Sequence, residues 1–291
     1  MVQVFRAEWE KIFGNRFMAV FLIWIYPVGT VTMLLLTAVV MMLSETGRTA
    51  VQLQPPTWLE QMLLPWTIVN SEIGRLFVVA LAAQVFAAEY QHSMWKNLLP
   101  RRPRLHLFLN KFVVMGVIVL LAFTSMSIIA GLGSAPVVWL AGGSYGPAIT
   151  PDVLGQALPV LGNEALVAFL SALFATCYAA LACVITHSVV MATLAALLIT
   201  VSEQTIPVIL LWIGQLANNP DLGRVWLIFP GYNLGNIASW GRNGEGYLPR
   251  FPGMTAMEAP SIAVSLLVIG VWLLALIGLA AWYFRRQDVL N

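Results

Sequence analysis

Long apolar runs with few charges alternate with short polar interruptions along the whole chain. The runs cover 17–43, 66–88, 112–132, 164–185, 189–204 and 262–284. Most reach the roughly 20 residues that an α-helix needs to cross a bilayer. The pattern predicts an all-α integral membrane protein with six transmembrane helices. Between the fifth and sixth runs the pattern changes. The stretch 206–240 holds apolar pieces too short to cross, broken by Pro207, Asn218-Asn219-Pro220-Asp221 and Phe229-Pro230-Gly231. Pieces of that length read as re-entrant or external segments. A single fifth helix, kinked at Pro207 and running on to Leu216, is the other reading.

Ahead of the first run, residues 2–14 place Val2, Phe5, Trp9, Ile12 and Phe13 at helical spacing. Arg6, Glu8, Glu10 and Lys11 fall between them. This predicts an amphipathic helix lying in the membrane interface. Pro27 is expected to kink the first span. The stretches 44–65, 134–162 and 233–260 are polar or rich in Gly and Pro and read as loops on one side, with Trp58 and Trp66 at the interface. Thr186-His187-Ser188 is a minimal turn between spans four and five.

Composition agrees with the pattern. Of 291 residues, 59% are hydrophobic and 10% charged, and the mean hydropathy is +0.83. Soluble domains carry about 25% charged residues. A net charge of +2 gives no reason to expect nucleic acid. Acidic residues among the N-terminal bases and the length of run 17–43 argue that this run is a retained span, not a secretory leader. Cys177 and Cys183 fall on different faces of one helix, as small core residues would, and are not spaced as a metal pair.

The bases are unevenly placed. Segment 89–111 carries Lys96, Arg101, Arg102, Arg104 and Lys111 against the single acid Glu89. With Arg6, Lys11, Arg16, Arg285 and Arg286 these form one set; Arg48, Arg224, Arg242 and Arg250 are spread over the longer loops opposite. Short basic loops stay cytoplasmic, so both ends and segment 89–111 are expected in the cytoplasm. Within that segment Met94, Trp95, Leu98 and Leu99 suggest a short helix before Pro100 and Pro103. A helix there is well placed to dock a soluble partner.

Catalytic signatures are missing. There is no P-loop, no His-Glu-x-x-His, no Cys-x-x-Cys and no Gly-x-Ser-x-Gly elbow. Pro100 and Pro103 separate His92 from His106, which argues against a haem pair on one helix. Glu72 and Arg75 stand three residues apart in span two, where ionisable groups pair or face a cavity. Glu203, next to Gln204, has no basic neighbour in sequence. A helix from His187 rises about 24 Å to Glu203, which puts that carboxylate near the outer leaflet, at a vestibule or at the Pro207 break. Glu164 and His187 read as span-end residues.

Several local words, in order, resemble the permease subunits of type-2 ABC exporters. Arg6-Ala7-Glu8-Trp9-Glu10-Lys11 followed by Arg16-Phe17 is similar to that family's elbow-helix opening. Phe86-Ala87-Ala88-Glu89-Tyr90, then Trp95-Lys96-Asn97-Leu98-Leu99-Pro100 and Arg104, looks like its second-to-third loop. Phe284-Arg285-Arg286-Gln287-Asp288 looks like its exit. His92-Ser93-Met94 departs from the family, which often has a Gly-Thr pair there. The Glu-Tyr and Trp-Lys form of the loop looks most like permeases of bacteriocin- and peptide-antibiotic-resistance exporters.

The resemblance implies a permease in a bacterial inner membrane, with no catalytic site or cofactor of its own. ATP and Mg would sit on a separate ATPase subunit. That subunit would couple through Glu8, Lys11, Glu89, His92, Trp95, Lys96, Leu98, Leu99 and Arg101. It further implies re-entrant helices between spans five and six, a second permease copy or paralogue, and an amphiphilic or peptide-like cargo. Glu72, Arg75, Glu203 and Gln204 are the expected polar residues of the substrate path. An ion- or proton-coupled secondary transporter is the alternative, but such folds repeat their broken helices in both halves and here the broken stretch occurs once.

Overall fold

The computed structural model describes residues 2–16, 18–91, 103–248 and 258–287. Every regular element among them is helical, and six helices are long and apolar enough to cross a membrane. The chain is a multi-pass membrane protein. α1 (Val2–Gly14) is followed by a π-helical stretch, Met18–Trp24, that leads into α2 (Ile25–Leu43). The widened turn ends just before Pro27, whose ring would collide with the carbonyl four residues back in a regular helix.

The stretch 44–65 is not a loop. Ser44 caps α3 (Glu45–Leu53), and Thr57 opens α4 (Trp58–Asn70) through a capping box with Glu60. Trp58 and Trp66 are buried. The Trp58 indole donates to the Pro147 carbonyl at 3.0 Å, and Trp66 packs against Phe123. Span two is therefore two helices, α4 and α5 (Glu72–Gln91), interrupted at Ser71.

Ser71 serves both. Its N–H and hydroxyl donate to the Ile68 carbonyl, closing α4, while its hydroxyl accepts from Gly74 N–H, opening α5. A Cβ on Gly74 would stand 2.0 Å from the Ile68 carbonyl oxygen. Only glycine fits that fold-back.

The third and fourth spans are far longer than their apolar runs. α6 covers Arg104–Leu140 and α7 covers Pro151–Thr186, 37 and 36 residues, or about 55 Å each against a hydrocarbon core of about 30 Å. Residues 104–111 thus belong to a span and not to the preceding loop, and the stretch 134–162 keeps only 141–150 as its connection. Pro136 and Pro159 sit inside these helices, while Thr150 and Pro151 form the N-terminal cap of α7.

α8 is one helix, Val189–Leu216, with Pro207 inside it. A 3₁₀ stretch, Pro220–Ile228, and α9 (Pro230–Asn243) follow where irregular pieces and a polar loop were expected. α10 (Ile262–Arg286) is the last span.

α5 and α7 form the centre, packed on each other and ringed by α4, α6, α8, α9 and α10. Small residues are plentiful on both: Ala82, Ala83 and Ala87 of α5 and Ala172, Ala175, Ala179 and Ala180 of α7 are all buried. Small residues let helix backbones approach in lipid, and the Cys183 thiol reaches the Ala83 carbonyl. Cys177 and Cys183 are both free and buried in α7. In contrast α2, α8 and α10 turn most of their apolar side chains outward.

One end of the bundle gathers the end of α5, the α7–α8 turn and the end of α10. Tyr90 stacks on His187 at 4.6 Å and donates to Gln287 at 2.9 Å, while the Gln287 amide donates to the Val184 carbonyl. His187 takes a left-handed conformation (φ 56°) to make the turn. α1 joins the same end through Lys11 and Glu89.

Candidate functional site

Two buried polar clusters, one at an end of the bundle and one some 20 Å further along it, account for most of the charge inside. At the end that carries α1, Lys111 of α6 is almost wholly buried. It donates to Glu89 at 2.9 Å, to Glu8 at 3.2 Å and to the Val85 carbonyl at 2.8 Å. Lys11 adds a second donor to Glu89 at 2.8 Å.

Two lysines and two glutamates therefore balance, and they tie α1 to the end of α5 and the start of α6. Glu8, Lys11 and Ile12 lie at helical spacing, so the face of α1 that turns inward is partly charged. The expected division into a charged outer and an apolar inner face fails for Glu8. It is drawn in by Lys111, which the sequence alone placed among the solvated bases. Arg6 and Glu10 do remain outside, paired with each other at 2.7 Å. The Glu10 carboxylate raises the Arg6 pKa, chiefly through their hydrogen bond.

Of the residues expected to couple to an ATPase, Glu8, Lys11 and Glu89 meet in this cluster. Lys11 is the most exposed of them, with 31% of its side chain accessible, and Glu89 shows 1%. His92, Trp95, Lys96, Leu98, Leu99 and Arg101 lie outside the described residues.

The second cluster lies in the opposite half. Arg75 of α5 donates to the Ser171 hydroxyl of α7 at 2.8 Å and reaches Glu203 of α8 at 3.4 Å. Tyr178 donates to the same Glu203 oxygen, Oε2, at 2.8 Å. The three helices bring these groups to one level. Arg75 and Ser171 stand about 15 residues from the Tyr90–His187 end, and Glu203 14 residues along α8, so all lie roughly 21–22 Å up the bundle. Tyr178 starts lower. Side chains tilt toward their helix N-terminus, and α7 and α8 run oppositely, so Tyr178 points up and Glu203 down until they meet.

Span two thus supplies the base, but Arg75 finds its acid on span five; the expected partner Glu72 opens α5, its side chain outside the described set. Glu203 in turn has the base that its sequence neighbours lack.

A cavity of about 370 Å³ opens beside this pair, lined by Arg75, Glu203, Gln204, Trp226, Gly231 and Gly235. Val167, Leu234 and Ala238 complete an apolar wall. Glu203 is buried, yet its second oxygen, Oε1, has no hydrogen-bond partner among the described residues. Cavities of about 300–1,000 Å³ with a few convergent polar groups are typical small-molecule sites. The expected path residues Arg75, Glu203 and Gln204 are brought together here.

α9 forms the far wall, and polar side chains hold it in place. Glu164 of α7, fully buried, accepts two hydrogen bonds from Arg242 at 2.6 and 2.7 Å. Asn236, also buried, donates to the Pro260 carbonyl and the Ser265 hydroxyl and accepts from Tyr247 N–H. Glu164 opens the apolar run of span four but does not open its helix. It lies 13 residues inside a helix that starts much earlier than its apolar run.

Among the described residues no group of three or more His, Cys, Asp or Glu could hold a metal ion. Comparison with known proteins does not place the chain: no protein-family model matches it and no curated protein matches it.

Proposed function

We propose that the chain is the membrane-spanning permease subunit of an ATP-driven exporter of the type-2 ABC kind. On this reading it moves an amphiphilic or peptide-like substrate out of the cytoplasm or inner leaflet of a bacterial cell membrane. The observation that carries the reading is the cluster of Glu8, Lys11, Glu89 and Lys111. It fastens α1 to the two helix ends that flank the basic segment 92–102. A push on that segment or on α1 would reach α5 and α6 through buried ionic contacts, not through a flexible tether.

α1 then acts as an elbow helix along the interface, and the 3₁₀ stretch with α9 as the re-entrant part. The basic end faces the cytoplasm, as short basic loops do. The chain binds no nucleotide itself; ATP and Mg belong to a partner ATPase that docks on His92–Leu99 and α1. The cavity at Arg75, Glu203 and Gln204 is part of the substrate path. The outward apolar faces of α2 and α8 would meet a second permease, which supplies the other half of that path.

Replacing Trp95 or Leu98 by Asp tests the coupling assignment. Either variant is expected to insert into the membrane normally and to lose the ATPase, read by co-purification from native membranes. Retention of the ATPase by both variants would overturn the assignment.

A further inference from the structure

Glu203 Oε1 is a buried carboxylate oxygen facing a cavity with no donor to meet it. Its sister oxygen, Oε2, already accepts from Tyr178 and Arg75. A carboxylate accepts about four hydrogen bonds, and an unmet buried one is costly. A donor that enters the cavity would meet it.

The remaining walls narrow the choice. Gln204 offers an amide oxygen, and Trp226 an aromatic surface that attracts cations. Val167, Leu234 and Ala238 offer an apolar strip. α9 keeps the space open with two glycines one turn apart. A Cβ on Gly231 would touch Glu203 Oε1 at 3.5 Å, and one on Gly235 would meet nothing within 4 Å.

We propose that this cavity binds the protonated primary amine of an amphiphilic cation. The ammonium donates to Glu203 Oε1 and to the Gln204 carbonyl, and the carbon chain lies along Val167, Leu234 and Ala238. Arg75, which also lines the cavity, stays on Glu203 Oε2 and the Ser171 hydroxyl. The proposal rests on the permease reading and gives its cargo a chemical class.

The test is calorimetric titration of the full chain in lipid nanodiscs, without any ATPase, with empty nanodiscs subtracted. The probes are octylammonium, octanol and octyl sulfate. Octylammonium is expected to saturate one site per chain, with the other two at least tenfold weaker. Glu203→Gln, which keeps an acceptor for Tyr178 but removes the charge, is expected to weaken octylammonium at least tenfold. Gly235→Leu adds bulk to the cavity from α9 and keeps the Arg75 and Glu203 side chains, so it reports on the site even if Glu203→Gln fails to fold; it too should abolish binding.

Equal binding of octylammonium and octanol, or undiminished binding to Gly235→Leu, would overturn the proposal. Because no ATPase takes part, the two readings fail separately. Absent amine binding beside a co-purifying ATPase overturns only the cavity assignment. Amine binding without an ATPase overturns only the exporter.

Discussion

At the residue scale, the buried charges differ in how tightly the fold holds them, and that difference can be measured. Lys111 has 1% of its side chain accessible and serves both glutamates, whereas Lys11 has 31% accessible and serves one. Breaking a buried ion pair by removing one partner costs about 3–5 kcal/mol, because the other charge stays desolvated; pairs open to solvent are worth about 1 kcal/mol or less. Lys111→Met should therefore destabilise the protein by about 3–5 kcal/mol and Lys11→Met by about 1 kcal/mol. Thermal unfolding in detergent ranks them, and equal losses would contradict the assignment of Lys111 as the hub.

The pair Glu164 and Arg242 makes a related case. Arg242→Met leaves a fully buried carboxylate without its two donors, while Glu164→Gln removes the charge itself and leaves Arg242, 45% accessible, to water. The first should cost about 3–5 kcal/mol and the second clearly less, by the same melting experiment. None of this pairing was legible in the sequence. Arg75 and Glu203 are 128 positions apart, and Lys111 and Glu8 are 103 apart. Only for Arg75 and Glu203 did a place inside an apolar run signal that the charge would pair or face a cavity.

At the scale of elements, six apolar runs gave six spans because hydropathy reports what faces lipid. Boundaries were lost wherever a helix left the hydrocarbon layer, since beyond it nothing requires an apolar surface. α6 and α7 extend well past their runs for that reason, and Gly and Pro near 134–162 gave a false loop signal. The local chemistry was nonetheless present. Thr57-Trp58-Leu59-Glu60 is a capping box, and Thr150-Pro151-Asp152 is a cap, a first-turn proline and a first-turn acid. Both mark helix starts that a reading weighted to hydropathy passes over.

The break at Ser71 is the element-level feature with the sharpest test. At Gly74 a Cβ would meet backbone at 2.0 Å, while at Gly270 in α10 it would meet nothing within 4 Å. Gly74→Ala should destabilise by about 1–3 kcal/mol or more, as overpacking does. Gly270→Ala should be neutral or gain up to about 1 kcal/mol of helix propensity. A thermal melt of the two variants separates them, and a neutral Gly74→Ala would mean that α4 and α5 do not fold back as described.

At the scale of the molecule, a central pair of helices, α5 and α7, carries ionic clusters at two levels. One fastens α1 and the helix ends around segment 92–102; the other borders a cavity some 20 Å further up. Helices α2, α8 and α10 keep broad apolar faces for lipid or a second copy. Such an arrangement suits a device driven at one end and loaded in the middle, and an ATPase is the driver that the proposal names.

The most direct measurement is purification of the tagged chain from native membranes in mild detergent, followed by assay of ATP hydrolysis. The account predicts a co-purifying P-loop ATPase with vanadate-sensitive turnover. A chain that purifies without such a partner and shows no turnover would contradict the ATP-driven reading and leave the buried Arg75–Glu203 pair to an ion-coupled transporter.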